Sequence, residues 1–157
     1  MATSPEARLD ELGVELPKAP APAGSYVPAT RANNLVFTAG QLPFEGGELN
    51  FQGKVGDAIG VDRAREAARL CALNALAAAA TQTDGLAGIS RIIKVTGFVA
   101  SAPGFNGQPQ VLNGASEFLG EVFGEAGLHA RSAVGVAELP MDAPVEVELV
   151  VEAAPHA

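Results

Sequence analysis

The sequence is short of most residues that carry chemistry by themselves. It has one cysteine, Cys71, so no internal disulfide can form, and such sparse thiol usage fits a reducing compartment. Its two histidines, His129 and His156, match no zinc-binding spacing with that cysteine. With no tryptophan and one tyrosine, it offers few flat side chains on which bases could stack. Cations are scarce as well: 10 Lys+Arg stand against 18 Asp+Glu, for a net charge of −8. They are scattered along the chain, whereas a surface that tracks phosphates needs them clustered, so nucleic acid is not an expected partner. No apolar run is long enough to span a bilayer, and the longest, "LCALNALAAAA", is broken by Asn74, so no membrane association is expected. The start, "MATSPEARLDELG", is acidic and lacks the basic and apolar regions of a secretory signal. Together these absences predict a cytoplasmic protein. "TAGQLPFEGG" is a glycine-bearing loop without the spacing of a phosphate-binding motif, and neither cofactor nor metal is expected.

What remains is the pattern of a globular fold. A chain of 157 residues, 48% of them hydrophobic, suits one domain with a real core. Residues 1–21 read as an appendage, a short helix followed by a Pro/Ala connector. Ser4 is placed to cap that helix, Pro5 to occupy its first turn, and Leu9, Leu12 and Val14 to give it an apolar face. Residues 22–154 form the main domain. A strand is expected over Leu35–Ala39, after the turn residues Asn33 and Asn34. A long helix follows over Val61–Ala80, with a stripe of small residues through Ala64, Ala68, Cys71, Ala75 and Ala78. A strand at "ISRIIKVTGFVAS" puts Ile93, Val95 and Val99 on one face and Lys94, Thr96 and Phe98 on the other. A second helix spans Val111–Phe123, with Gly124 and Gly127 as stops. Two strands finish the chain, "RSAVGVAEL" and "PVEVELVVEA". In the last, Val145, Val147, Leu149 and Val151 alternate with Glu146, Glu148, Val150 and Glu152. This order gives an α+β fold, one sheet with two helices packed on one face. The other face mixes Glu146, Glu148 and Lys94 with Phe98 and Val150, which predicts a partner subunit.

The final two strands also hold the candidate chemistry. Arg131 opens the first and Glu146 lies on its hairpin neighbour, so the two side chains can approach one another. Spacing alone allows two readings. One is a cross-strand ion pair on a wet face. In the other, Arg131 is a two-pronged carboxylate anchor at the rim of a cleft and Glu146 holds a water or passes a proton. A serine triad of Ser132 with His129 is disfavoured, because residues three apart on a strand point to opposite faces.

Four segments, "AGSYVPATRANNLVFTAGQLP", "VTGFVASAPGF", "VLNGASEFLGEVFG" and "HARSAVGVAELPMDAPVEVE", resemble the Rid family, the YjgF-like reactive-intermediate deaminases formerly labelled endoribonuclease L-PSP. The resemblance covers about residues 22 to 153. It implies a chorismate-mutase-like fold and a homotrimer with a cleft at each subunit interface. It implies hydrolysis of reactive 2-imino carboxylates to 2-oxo acids and ammonia without a cofactor. It places the carboxylate clamp on Arg131, the water-positioning carboxylate on Glu146, an aromatic wall on Tyr26, the cleft floor on Gly40 and an interfacial asparagine on Asn113. The chain departs from the family at Ala39, where a serine is usual, and at Ala133, where a cysteine is usual and whose absence removes any covalent thiol route. His129 stands where a proline is usual and adds a candidate donor near the pocket. With the N-terminal helix and a long "SAPGFNGQPQ" loop, these departures point to a divergent subgroup. The thinned polar lining leaves one alternative open, a non-catalytic trimer that binds small carboxylates. The ribonuclease label fits poorly with the charge balance.

Overall fold

The computed structural model describes residues 2–155. A short helix α1 (Pro5–Glu11) opens the chain, and Ser4 Oγ accepts the Ala7 N–H at 3.2 Å while Pro5 sits in the first turn. A hairpin of β1 (Ala29–Ala32) and β2 (Leu35–Thr38) follows, turning at Asn33, whose φ of 55° suits a short polar side chain. A two-residue ribbon, β3 (Phe44–Glu45) and β4 (Glu48–Leu49), precedes helix α2 (Val61–Ala80). Then come β5 (Ile89–Ala100), α3 (Gln108–Phe123), β6 (Ala130–Val136) and β7 (Val145–Ala153). One five-stranded sheet has the order β1-β2-β7-β5-β6, with β5 and β6 parallel and every other pair antiparallel.

The core lies between this sheet and the α2–α3 pair. Strand β7 alternates buried and half-buried residues along its whole length, and Val145, Val147, Leu149 and Val151 are all inaccessible or nearly so. The small-residue stripe of α2 lets the helix lie close on the sheet. Ala64, Ala68, Cys71, Ala75 and Ala78 are fully buried, and the Cys71 thiol reaches the Val145 carbonyl at 3.4 Å. Asn74, which interrupts the apolar run, is 2% exposed and donates to the Leu42 and Phe44 carbonyls at 3.0 and 2.9 Å. It thereby pins the segment that follows β2. The two helices touch at Gly114, where a Cβ would overlap the Arg65 carbonyl, and the ion pairs Arg65–Glu117 and Arg69–Glu121 flank the contact. Helix α1 packs on α3, with Arg8 Nε donating to the Glu121 carbonyl at 3.0 Å.

Three expectations need correction. The last two strands are not a hairpin: β6 is an edge strand paired in parallel with β5, and β7 is inserted between β2 and β5. The connection turns through Met141 and Asp142, both in left-handed backbone conformations with φ of 59° and 60°. A Pro-bounded turn between two period-two runs looks like a hairpin locally, but a parallel partner for β6 leaves the central slot to β7. Second, the register of β5 against β7 shifts between Ile92 and Lys94, so Ile92 takes the core position and Ile93 is only partly buried. Third, α3 begins at Gln108, three residues before the expected start, because Pro109 fits a first helical turn.

Candidate functional site

Arg131 pairs across the sheet with Val95, and Val95 in turn with Leu149, all on the helix-covered face. Its guanidinium reaches sideways to α3. Nη1 donates to Asn113 Oδ1 at 2.8 Å and to Ser116 Oγ at 3.2 Å, and Nη2 donates to the Pro109 carbonyl at 3.4 Å. Asn113 and Ser116 stand three residues apart, so one face of α3 presents both acceptors. Five other arginines form ion pairs with carboxylates. Arg131 forms none among the described residues, and neither does Arg31, whose donors go to the carbonyls of Asn33 and Gln82. Among the described residues, three of the five N–H donors of Arg131 are engaged. Those left over belong to Nε and Nη2, the atoms that border one edge of the planar fork. A half-buried cation with neutral partners and unengaged donors on Nε and Nη2 can receive a carboxylate.

His129 stands just before β6. Its Nε2 lies 2.9 Å from Ser116 Oγ and its Nδ1 2.6 Å from the Gly127 carbonyl. Ser132, the serine next to Arg131 in sequence, is exposed and paired opposite Thr96. Sequence reasoning missed Ser116. Its signal was the i, i+3 spacing from Asn113, readable only once both are known to face β6. Ala133 lies two residues beyond Arg131 on the same face of β6, packed against the core.

Glu146 is elsewhere. It pairs with Phe98 on β5, on the sheet face that no helix covers. Between it and Arg131 lies the whole width of β5 and three residues of strand, which puts their Cα atoms roughly 14 Å apart by standard strand spacings. They also point to opposite faces. The cross-strand ion pair and the single-chain cleft are both excluded by this placement. The Glu146 carboxylate accepts no hydrogen bond from the described residues, and its pKa is raised, first by burial and second by repulsion from Glu148 on the same face.

A bulge makes room for that carboxylate. Phe37 pairs with Val150 and Gln41 bridges to Val147, so the β2 side carries one extra residue over this stretch. Thr38 Oγ1 accepts the Leu149 N–H at 2.9 Å, and Ala39 N–H turns away to the Pro28 carbonyl at 2.8 Å. Gly40 is thereby carried onto Glu146, where a Cβ would overlap Oε1. Gly40 also lines a small depression of about 60 Å³ with Tyr26, Pro28 and Gln41. Tyr26 is half exposed, with its hydroxyl accepting the Ala23 N–H at 3.1 Å. The structure therefore sorts the candidates into two groups. Asn113, His129, Arg131 and Ala133 gather where α3 meets β6, and Tyr26, Ala39, Gly40 and Glu146 gather around the β2 bulge.

No cluster of three or more His, Cys, Asp or Glu among the described residues is placed to hold a metal. No described helix is long and apolar enough to cross a membrane. Cys71 is wholly buried, and burial, then the charge of Glu146, pushes its thiol pKa well up, so it stays protonated and unreactive. His156 lies outside the described residues.

Residues 6–153 match a family model described as "YjgF/chorismate mutase-like, putative endoribonuclease". The chain belongs to the YjgF family. It is 41% identical to Protein TCP17 of Trypanosoma cruzi over 147 residues, which cover 93% of this chain and 92% of that one. It is 33% identical to a 2-iminobutanoate/2-iminopropanoate deaminase of Dermatophagoides farinae over 138 residues, covering 88% and 93%. Among solved structures it resembles the Agrobacterium tumefaciens protein Atu1372, of unknown function, with a TM-score of 0.89 and 47% identity over 96% of this chain and 92% of that one. The YjgF match begins inside α1, so the helix set apart in the sequence as an appendage falls within the family's span.

Proposed function

We propose that this YjgF protein hydrolyses small reactive 2-imino or enamino carboxylates to 2-oxo acids and ammonia, in clefts that neighbouring copies of a homotrimer complete. The observation that carries the reading is the Arg131 guanidinium, half-buried, without an acidic partner among the described residues and with donors left on Nε and Nη2. The edge they border holds the substrate carboxylate, and Asn113 and Ser116 aim it. Glu146 comes from the adjacent copy, since within one chain it lies on the far side of β5. Hydrolysis of an imine needs a protonated nitrogen, an aligned water and a group that moves one proton from that water to the departing ammonia. A carboxyl whose pKa is raised by burial suits the last task, because it can both hold and release a proton closer to neutrality than an ordinary glutamate. Tyr26, with Ala39 and Gly40, forms the wall and floor on the Glu146 side. The uncovered sheet face, where Phe37 and Val134 are 41% and 44% exposed, is the surface on which the copies meet. The deaminase relative in Dermatophagoides farinae supports the substrate class. A single buried thiol suits a reducing compartment such as the cytoplasm.

The experiment is subunit complementation. Arg131→Ala and Glu146→Gln are expected to be inactive alone in clearing imine released by a PLP-dependent dehydratase. Co-expressed in equal amounts, they should recover about a quarter of wild-type turnover, the fraction of interfaces in a random cyclic assembly that pair one intact arginine with one intact glutamate. No recovery in mixed assemblies would mean that the two residues do not share a cleft. A wild-type protein that binds 2-oxobutanoate yet never accelerates imine loss would favour the alternative of a non-catalytic carboxylate binder.

A further inference from the structure

We propose that His129, acting through Ser116, is a positioning residue for Arg131, and this rests on the reading of Arg131 as the group that holds the substrate carboxylate. The polarity of the chain of bonds can be worked out from its ends. The Gly127 carbonyl only accepts, so His129 Nδ1, 2.6 Å away, carries the ring proton. In the tautomer with its one proton on Nδ1, Nε2 is an acceptor, and Ser116 Oγ, 2.9 Å away, gives its hydrogen there. At Arg131 every N–H is a donor, so Ser116 Oγ must accept from Nη1. The bonds run head to tail from guanidinium to hydroxyl to imidazole to backbone carbonyl, an order in which each bond strengthens its neighbours.

His129 matters because of what Ser116 would do without it. A serine inside a helix ordinarily turns its hydroxyl back to the carbonyl one turn earlier, here that of Leu112. The imidazole draws the hydroxyl outward instead, so that its lone pair faces β6 and meets Nη1. Asn113 Oδ1 takes a second Nη1 bond, and the Pro109 carbonyl takes a longer one from Nη2. With Ser116 held, the plane of the fork is set by two short contacts on one nitrogen, and the edge bordered by Nε and Nη2 is left in a fixed direction. The imidazole is itself held by the 3₁₀ turn Gly124–Gly127 that ends α3, so the residue that enters β6 ties the strand to the helix carrying the acceptors. His129 touches Ser116 and Gly127 but not the carboxylate site, and its effect on substrate is indirect.

A clamp that grips the carboxylate equally in the ground state and the transition state governs affinity and leaves the chemical step alone. The test therefore uses the intact assembly, calorimetry with 2-oxobutanoate as the probe, and steady-state imine turnover. His129→Leu and Ser116→Ala should each weaken 2-oxobutanoate binding about ten-fold and raise KM alike, with kcat within about two-fold, as expected for loss of one bond to a charged group. The double variant should be no weaker than Ser116→Ala alone, because both changes break one chain of bonds. His129→Gln, whose amide can accept from Ser116, should recover most of the affinity. Unchanged binding in His129→Leu, losses that multiply in the double variant, or a fall in kcat with KM preserved would each overturn the proposal. Arg131→Ala keeps the two levels apart. If it leaves binding intact, the clamp itself is wrong; if it abolishes binding while His129→Leu does nothing, only the positioning role is.

Discussion

The two halves of the site are built on opposite principles. Around Arg131 everything is tied down: three acceptors on α3 hold the guanidinium, and a histidine holds one of those acceptors. Around Glu146 no described residue is hydrogen-bonded to the carboxylate, and a bulge, a glycine and a second glutamate shape its surroundings. The difference fits the roles proposed for the two groups. A binding group gains from fixed direction, since an ordered fork loses little freedom when ligand arrives. A group that passes a proton must be poised between its two protonation states, and hydrogen bonds to the carboxylate would favour the charged form and lower its pKa. The arginine half sits on an edge strand and a helix, and the glutamate half on the sheet's central strand, so each chain displays both halves without being able to join them.

That contrast can be broken most severely at Arg131. Arg131→Ala should weaken 2-oxobutanoate binding by about a hundred-fold or more, and Arg131→Lys should restore little, because one ammonium cannot replace a two-pronged contact. Calorimetry on the two variants reads this directly, and near-native binding by either would remove the clamp. Glu146→Gln should do the reverse, leaving 2-oxobutanoate affinity within about two-fold while imine turnover falls by a factor between about a hundred and ten thousand. Gly40→Ala should act like Glu146→Gln but more weakly. The added methyl group meets the flexible end of Glu146, so the carboxylate moves aside while the fold survives, and turnover should drop about ten-fold with binding retained.

A smaller effect sharpens the electrostatic side. The folded Glu146 holds its proton to higher pH than the unfolded chain would, so its contribution to stability is present below the ordinary glutamate pKa and is lost as pH rises through the raised value. Glu146→Gln should therefore unfold at a higher temperature than wild type near neutrality, and the gap should close in acid. Thermal melts across pH 3 to 8 check the sign. The smallest change is expected at Cys71, deep in the core with a protonated thiol. Cys71→Ala should cost about 1 kcal/mol of stability and leave turnover untouched.

Much was legible before the fold was known, and the reason differs from element to element. The alternation in β7 and the small-residue stripe of α2 are local periodicities, and each maps directly to the buried face seen. Ser4 and Pro5 marked α1 because capping depends on adjacent residues alone. The strand pattern singled out Arg131 and Glu146, and likeness to a family pattern supplied their expected roles, those of Asn113, Gly40 and Tyr26, and the chorismate-mutase-like fold. Three things were not legible. The order of strands was one, since a turn bounded by prolines says nothing about which neighbour completes each strand's hydrogen bonds. The β2 bulge was another, because one extra residue shows only against a partner's register. Ser116 was the third, since its hydroxyl acquires meaning only when α3 is laid beside β6. By itself, the sequence determined the longer helices and strands, the faces they bury and the kinds of side chain that could hold a carboxylate, because periodicity and side-chain chemistry are properties of near neighbours along the chain. Only the tertiary structure decided that Arg131 and Glu146 lie on opposite faces with β5 between them, because strand pairing joins residues far apart in sequence through backbone groups that every residue carries alike.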